Sequence, residues 1–303
     1  MSIRVFDGHC DTAFSLWYGN ESLKENSGHI DLKKIEGLSA YAQFFAFCSL
    51  AGTTEAQKPL LSGPLQKLRE EVAKNEDRIG FARSAEEVSA LNQTGKAAAL
   101  LSLEGAELID CNPHRLQSLR EQGFRMLTLT WNADNVLAGC HFGRQGLTDA
   151  GRDFVREAEN LGIYLDVSHL GEKSFWDLAK TAKRPVVASH SNARAIWDVS
   201  RNLTDDQLRF IGESGGTAGL NLYPAFLGEQ ADFDTLRRHL EHMLRLCGET
   251  HVALGGDLDG CEALARGFKH VGNYADFYLY LSEQGYSATL LDQIFYLNLL
   301  HLF

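Results

Sequence analysis

His9 and Asp11, in the run Phe6-Asp7-Gly8-His9-Cys10-Asp11, set an imidazole and a carboxylate two residues apart behind a short apolar strand, Ile3 to Phe6. Side chains alternate across a strand, so these two point the same way and Cys10 points opposite. Such a pair suits a divalent metal of intermediate softness. Four later strand-like runs also finish in a ligand or an acid: Glu104 after AAALLSL, His169 after IYLDVS, His190 after PVVAS, and Asp257 after VALGG. Without a metal, Asp11 and Glu104 would repel each other on a shared surface. Two divalent ions, in the hydrolytic arrangement with a separation of about 3.5–4 Å, relieve that and lower the pKa of bound water towards 7. Glu104 is the natural bridge between them, since its strand falls between the His9/Asp11 strand and the two later histidine strands. Asp257, on the last strand, is placed to carry a proton from water to a leaving group.

The elements that must hold these residues are legible as alternation. Apolar runs at Ile3–Phe6, 43–50 (QFFAFCSL), 97–103, 124–130 (FRMLTLT), 163–167, 185–188, 217–222 (TAGLNL) and 252–255 read as strands. Amphipathic stretches lie between them: one through Leu65, Leu68 and Val72 with Pro64 near its start, one over Arg115–Gln122, one over Asp153–Leu161, and one through Leu236–Cys247. Thr204 stands three residues before Gln207, which predicts a capping box at another helix start. Eight strands alternating with helices predict a single (β/α)8 barrel over residues 1–303, with chemistry at the C-terminal strand ends. The residues there are His9/Asp11, Glu104, Trp131/Asn132, His169, His190 and Asp257.

Composition narrows the function classes. A chain of 303 residues, 44% apolar and with formal net charge −11, is ordinary globular material and a poor match for a phosphate backbone, so no nucleic-acid partner is expected. No apolar run reaches the roughly 18 residues of a membrane span, and Met1 to Arg4 enter a strand without an apolar leader. Six scattered cysteines without a Cys-x-x-Cys pair read as reduced thiols, and the expected location is cytoplasmic.

In this order, FDGHCD, SLEG, LDVSH, ASHSNARA and GGDLDG resemble the renal (membrane) dipeptidase family of zinc peptidases, which belong to the amidohydrolase-like barrels. The resemblance covers nearly the whole chain. It implies two zinc ions, one held by His9, Asp11 and Glu104 and the other by Glu104, His169 and His190. It also implies that Arg201 pairs with the C-terminal carboxylate of a small dipeptide, a role suited to a guanidinium fork, and that Asp257 is the proton-shuttling acid. Family members hydrolyse dipeptides, often with a D-residue at the C-terminal position, and a homodimer is a reasonable expectation.

Two departures stand out. Mammalian-type members carry a histidine after the fourth strand where this chain has Trp131, and indole is a bulky single donor that cannot be protonated. Asn132 or His141 would then take over that role, or the metal alone polarises the carbonyl, or the substrate differs. The second departure is IFYLNLLHLF, which lacks the paired glycines before the position of Asn298. Trp131, Asn132 and Tyr223 are the further candidates for lining a substrate pocket. His239 and His242, spaced as neighbours on a helix face, are expected to be structural or solvated, and Asp259 to order a loop.

The leading function is a binuclear zinc dipeptidase. The same residues also suit a related metallohydrolase of lactams or N-acyl amino acids. A non-catalytic binding barrel is expected to have lost a ligand or the acid, and this chain retains all six.

Overall fold

The computed structural model describes residues 2–49 and 54–303; Met1 and Leu50, the last residue of the expected second strand, lie outside them. Nine parallel strands form one sheet: β1 (Arg4–Cys10), β2 (Ala40–Cys48), β3 (Ile79–Phe81), β4 (Ala97–Glu104), β5 (Phe124–Thr128), β6 (Tyr164–Asp166), β7 (Val187–Ala188), β8 (Thr217–Leu220) and β9 (Val252–Leu254). Eight of them close into a ring, because β2 pairs with β4 and β9 pairs back onto β1 through Asp7 and Leu254. The ring is the expected (β/α)8 barrel, and all eight anticipated strands are in it.

The ninth strand, β3, was not foreseen. It pairs with the lower half of β4 over Ala97–Ala99, and β5 takes the same edge only from Leu101 onward. Three residues carry too little alternation to announce a strand.

Helices α1 (Thr12–Gly19), α2 (Thr54–Lys74), α3 (Ala85–Gln93), α4 (Leu116–Glu121), α5 (Asp149–Asn160), α6 (Glu172–Thr181), α7 (Asp205–Glu213), α8 (Phe233–Cys247) and α9 (Tyr274–Glu283) wrap the ring. The capping box at Thr204 and Gln207 is present. Helix α2 starts ten residues before Pro64 and contains both Pro59 and Pro64. A proline inside a helix removes a backbone donor; here packing against α1 holds the segment, and Gly63 leaves space for the Trp17 indole. Helix α5 likewise begins earlier than Asp153, at Asp149, and is capped by Thr148, whose side chain accepts from the Gly151 amide.

Two apolar layers hold the barrel. The larger joins the outer strand faces to the helices; the smaller fills the interior with Phe6, Phe44, Leu100, Met126, Val187 and Ala253. The interior is closed at the N-terminal end of the strands by the chain's last turns, α10 (Ala288–Asp292), a π turn over Gln293–Leu297, and α11 (Asn298–Leu302). Tyr296 meets Phe6, and Phe303 packs on Phe44 and Tyr164. With that end plugged, the cavity lined by Asp11, Glu104 and Asp257 lies at the C-terminal ends of the strands.

One irregularity positions His9. Asp7 pairs with Gln43 and Cys10 with Phe45, so three steps along β1 match two along β2. The extra residue is a β-bulge at Gly8-His9, which reverses the alternation. Phe6 faces the interior and Cys10 the outer layer, and His9 turns to the mouth beside Asp11.

Candidate metal centre

Besides a group formed by His9, His190 and Asp257, two groups of donors share Glu104 at the mouth of the barrel: His9, Asp11 and Glu104 lie within 4.8 Å of one another, and so do Glu104, His169 and His190. Glu104, the last residue of β4, gives one oxygen to each. Its Oε2 lies 3.6 Å from His9 Nε2, and its Oε1 lies 2.9 Å from His169 Nε2 and 3.5 Å from His190 Nε2. His9 Nε2 is 3.3 Å from Asp11 Oδ2 and 3.8 Å from Asp257 Oδ1.

The ring protons follow from the partners. Ser189 Oγ donates to the Asp166 carboxylate, so its lone pair accepts from His190 Nδ1 at 2.6 Å. Asn132 Oδ1, a pure acceptor, takes the proton of His169 Nδ1 at 2.8 Å. Burial, then the nearby charges of His9 and Arg201, hold both imidazoles neutral. Both Nε2 atoms are therefore bare, and they face each other 3.1 Å apart. A cation held between them would relieve the repulsion of those lone pairs.

The first group shows the same need. His9 Nε2 is buried and has no hydrogen-bond partner. Burial opposes a charge on this ring, yet the carboxylates of Glu104, Asp11 and Asp257 raise its pKa to about 10. A proton there supplies the positive charge that three acids demand. Nitrogen and carboxylate donors of this kind suit a divalent transition metal, so the residues fit the metal that the strand-end pattern implies.

The supporting shell was largely unforeseen. Asp166, at the end of β6, also accepts from the amides of Ser168 and Ser189. Asp7 is fully buried and accepts from the amides of His9 and Gly256, from Gln43, and from the Tyr274 hydroxyl. Acids inside apolar strands were the available signal, since a buried carboxylate requires partners. Outer-shell bonds of this type fix the orientation and tautomer of a metal-ligating histidine.

Asp257 follows β9 in a left-handed backbone conformation, φ 57°, as does His169, φ 67°. Strain of this kind persists only where its surroundings impose it. Burial, then repulsion from Asp11 and Glu104, raises the Asp257 pKa to about 6, and Asn221 holds its Oδ2 at 3.1 Å.

Above these groups lies a cavity of about 260 Å³, with Asp11, Glu104, His169 and Asp257 in its floor and Phe14, Trp131, Tyr223 and Phe226 in its walls. Trp131 stands 6.3 Å from the His169 ring. Asn132 also borders the cavity, but its carbonyl is committed to two imidazoles, those of His169 and His141. Tyr223 donates to Glu262 at 2.7 Å and so links the loops after β8 and β9. Arg201 lies beneath the cavity surface with its guanidinium 5.1 Å from the Phe226 ring. It is buried, donates only to Ser191 Oγ and the His190 carbonyl, and leaves Nε without a partner.

The remaining candidates have structural partners. His239 accepts from the Ala193 amide and donates to the Leu227 carbonyl, and His242 pairs with Asp205. Asp259 takes the Thr12 hydroxyl and the His29 amide. All six cysteines are free thiols.

Comparison with known proteins agrees with this geometry. The family model described as membrane dipeptidase, peptidase family M19, matches residues 1–303. A crystal structure of a metallopeptidase from Rhodobacter sphaeroides, holding a phosphinate mimic of the dipeptide L-Ala-D-Ala, superposes with a TM-score of 0.93 at 29% identity, covering 100% of this chain and 99% of that one. A dipeptidase of family M19 gives 0.93 at 30% identity, covering 100% and 98%. An uncharacterised dipeptidase of Schizosaccharomyces pombe is 35% identical over 205 residues, 65% of this chain and 50% of its own length. Matched from end to end, this chain belongs to the membrane dipeptidase family, M19, and is a metallo-dipeptidase.

Proposed function

We propose that this enzyme hydrolyses small dipeptides, including those with a C-terminal D-residue, with two zinc ions per chain. His9, Asp11 and Glu104 would hold one ion, and Glu104, His169 and His190 the other. The observation that carries the proposal is the division of the Glu104 carboxylate between two donor groups, each short of positive charge. Dipeptide chemistry is supported by the L-Ala-D-Ala mimic in the Rhodobacter enzyme, whose fold this chain matches over its full length.

Bound zinc supplies Lewis acidity and a water of lowered pKa. The protein's own residues do the rest. Asp257, beside His9 and facing the cavity, accepts a proton from the attacking water and passes it to the leaving amine. Its raised pKa suits a group that must both take and give a proton. Arg201 has no carboxylate within salt-bridge distance among the described residues, so the substrate's C-terminal carboxylate is its natural partner. The aromatic walls exclude water and limit the side chains admitted. No helix of the described residues is long and apolar enough to cross a membrane, and six free thiols suit a reducing, cytoplasmic setting.

The test is elemental analysis of the purified protein together with a panel of L-Xaa-L-Yaa and L-Xaa-D-Yaa dipeptides. About two zinc ions per chain and chelator-sensitive release of amino acids are expected. Two metals without dipeptide turnover would move the substrate to another small amide, such as a lactam or an N-acyl amino acid, with Trp131 as the reason. A protein that takes up no zinc would end the proposal.

A further inference from the structure

His141 lies on the loop between β5 and α5 and is bound to His169 in two ways. Its backbone amide donates to the His169 carbonyl at 2.8 Å. Its side chain reaches the same residue through Asn132, with His141 Nε2 3.1 Å and His169 Nδ1 2.8 Å from Asn132 Oδ1. A carbonyl oxygen only accepts, so both rings donate to it. His141 is then bare at Nδ1, and that nitrogen takes the Ser200 hydroxyl at 2.8 Å. Along the path from Ser200 to His169, each ring nitrogen and the hydroxyl thus has a matched partner. Ser200 is the residue before Arg201, so the series runs from the segment carrying the buried arginine to one of the candidate metal ligands.

We propose that His141 is a positioning residue: through Asn132 it fixes the ring of His169, and through Ser200 it ties that ring to the Arg201 segment. The inference rests on the zinc dipeptidase proposed above. The carbonyl of Asn132, a residue that also borders the cavity, is accordingly a link between two histidines. The strained backbone of His169 gives the arrangement a purpose, since a residue at φ 67° relies on its neighbours for its orientation. Outer-shell partners of a ligating histidine typically govern affinity by about 10–100-fold.

The experiment compares wild type with His141→Phe, His141→Gln and Ser200→Ala. Phenylalanine keeps the ring and loses the donor, whereas the glutamine amide restores a donor to Asn132. Zinc affinity is measured by competition with a chromogenic chelator, and kcat and KM with L-Ala-D-Ala. His141→Phe is expected to bind zinc about 10–100-fold more weakly with a matching fall in kcat, and His141→Gln to recover most of the loss. Ser200→Ala is expected to fall between them. Unchanged zinc affinity in His141→Phe, or a glutamine variant as poor as phenylalanine, would overturn the proposal.

Ring 15N spectra of the metal-free protein separate this inference from the one beneath it. They are expected to show His141 protonated at Nε2 and His169 at Nδ1. The opposite tautomer of His141 overturns the positioning role even where zinc binds. Absence of zinc binding in wild type, with these tautomers present, counts against the metal assignment alone.

Discussion

A proton on His9 and a metal beside it are alternatives, because each answers the same three carboxylates. Those carboxylates raise the pKa of this ring, so a metal taken up at Nε2 would displace a proton. Zinc binding at pH 7 is expected to release about one proton per chain from this ring, read by calorimetry in buffers of different ionisation enthalpy. Buffer-independent heats would contradict it. Arg201→Ala is expected to weaken binding of dipeptides with a free C-terminal carboxylate by about 30-fold or more, the scale of losing one partner of a buried charge pair, and to leave C-terminal amides untouched. Equal effects on both substrates would remove the arginine from that role. At this scale the sequence was informative where chemistry coincides with a strand end: His9, Glu104, His169, His190 and Asp257 each close an apolar run. Asn132 and His141 were visible only as candidates. Their partnership depends on the course of a loop, which residue spacing does not encode.

Elements set these residues by small offsets in register. The bulge in β1 turns His9 to the mouth, and close backbone approach sets β7 below His190. A Cβ at Gly255 would stand 1.8 Å from the Ser189 carbonyl, and one at Gly219 would stand 2.1 Å from it. Gly255→Ala should therefore push β7 aside, lower stability by about 1–3 kcal/mol, and loosen the hold on zinc; a variant with wild-type zinc affinity would show that the strand adapts. Away from the mouth, Glu71 of α2 fastens the segment after α1. It accepts from the Leu23 amide and the Ser22 hydroxyl and pairs with Lys67 and Lys74. Burial alone would raise its pKa, but these donors bring it down to about 2 from 4.5. The folded state thus keeps this carboxylate ionised where the unfolded chain protonates it. Its stabilisation is complete above the unfolded value and is lost as pH falls from 4.5 through 2. Glu71→Gln is expected to cost about 1–2 kcal/mol at pH 7 and almost nothing near pH 2, measured by urea unfolding across that range. A difference independent of pH would locate the effect in packing instead. Helix α2 also shows where sequence reading stops short: its prolines mark a start by propensity, and tertiary contact with Trp17 carries the helix past them.

For the whole molecule, alternation along the chain sufficed to predict the barrel, since eight apolar runs separated by amphipathic stretches have few other ways to bury both faces. It could not show how the barrel is closed below. IFYLNLLHLF reads as helix in any context, and only the folded ring reveals that Tyr296, Leu299 and Phe303 fill its floor. Ending the chain after Asp292 is expected to expose Phe6 and Phe44, raise binding of a hydrophobic dye and sharply lower the melting temperature; an unchanged melting curve would make the plug dispensable. The bonds of Asp7 have a consequence for the order of events in the cell. Its carboxylate is satisfied by the Gly256 amide and the Tyr274 hydroxyl, partners 249 and 267 residues further on. A ribosome adding about 5–20 residues per second takes some tens of seconds or less to supply them. Throughout that interval one oxygen of this carboxylate lacks its partners, while the His9 amide and Gln43 can reach only the other, and the strand has an edge without a neighbour. The nascent chain must therefore wait in a partly open state, and final closure comes after synthesis has passed the last strand.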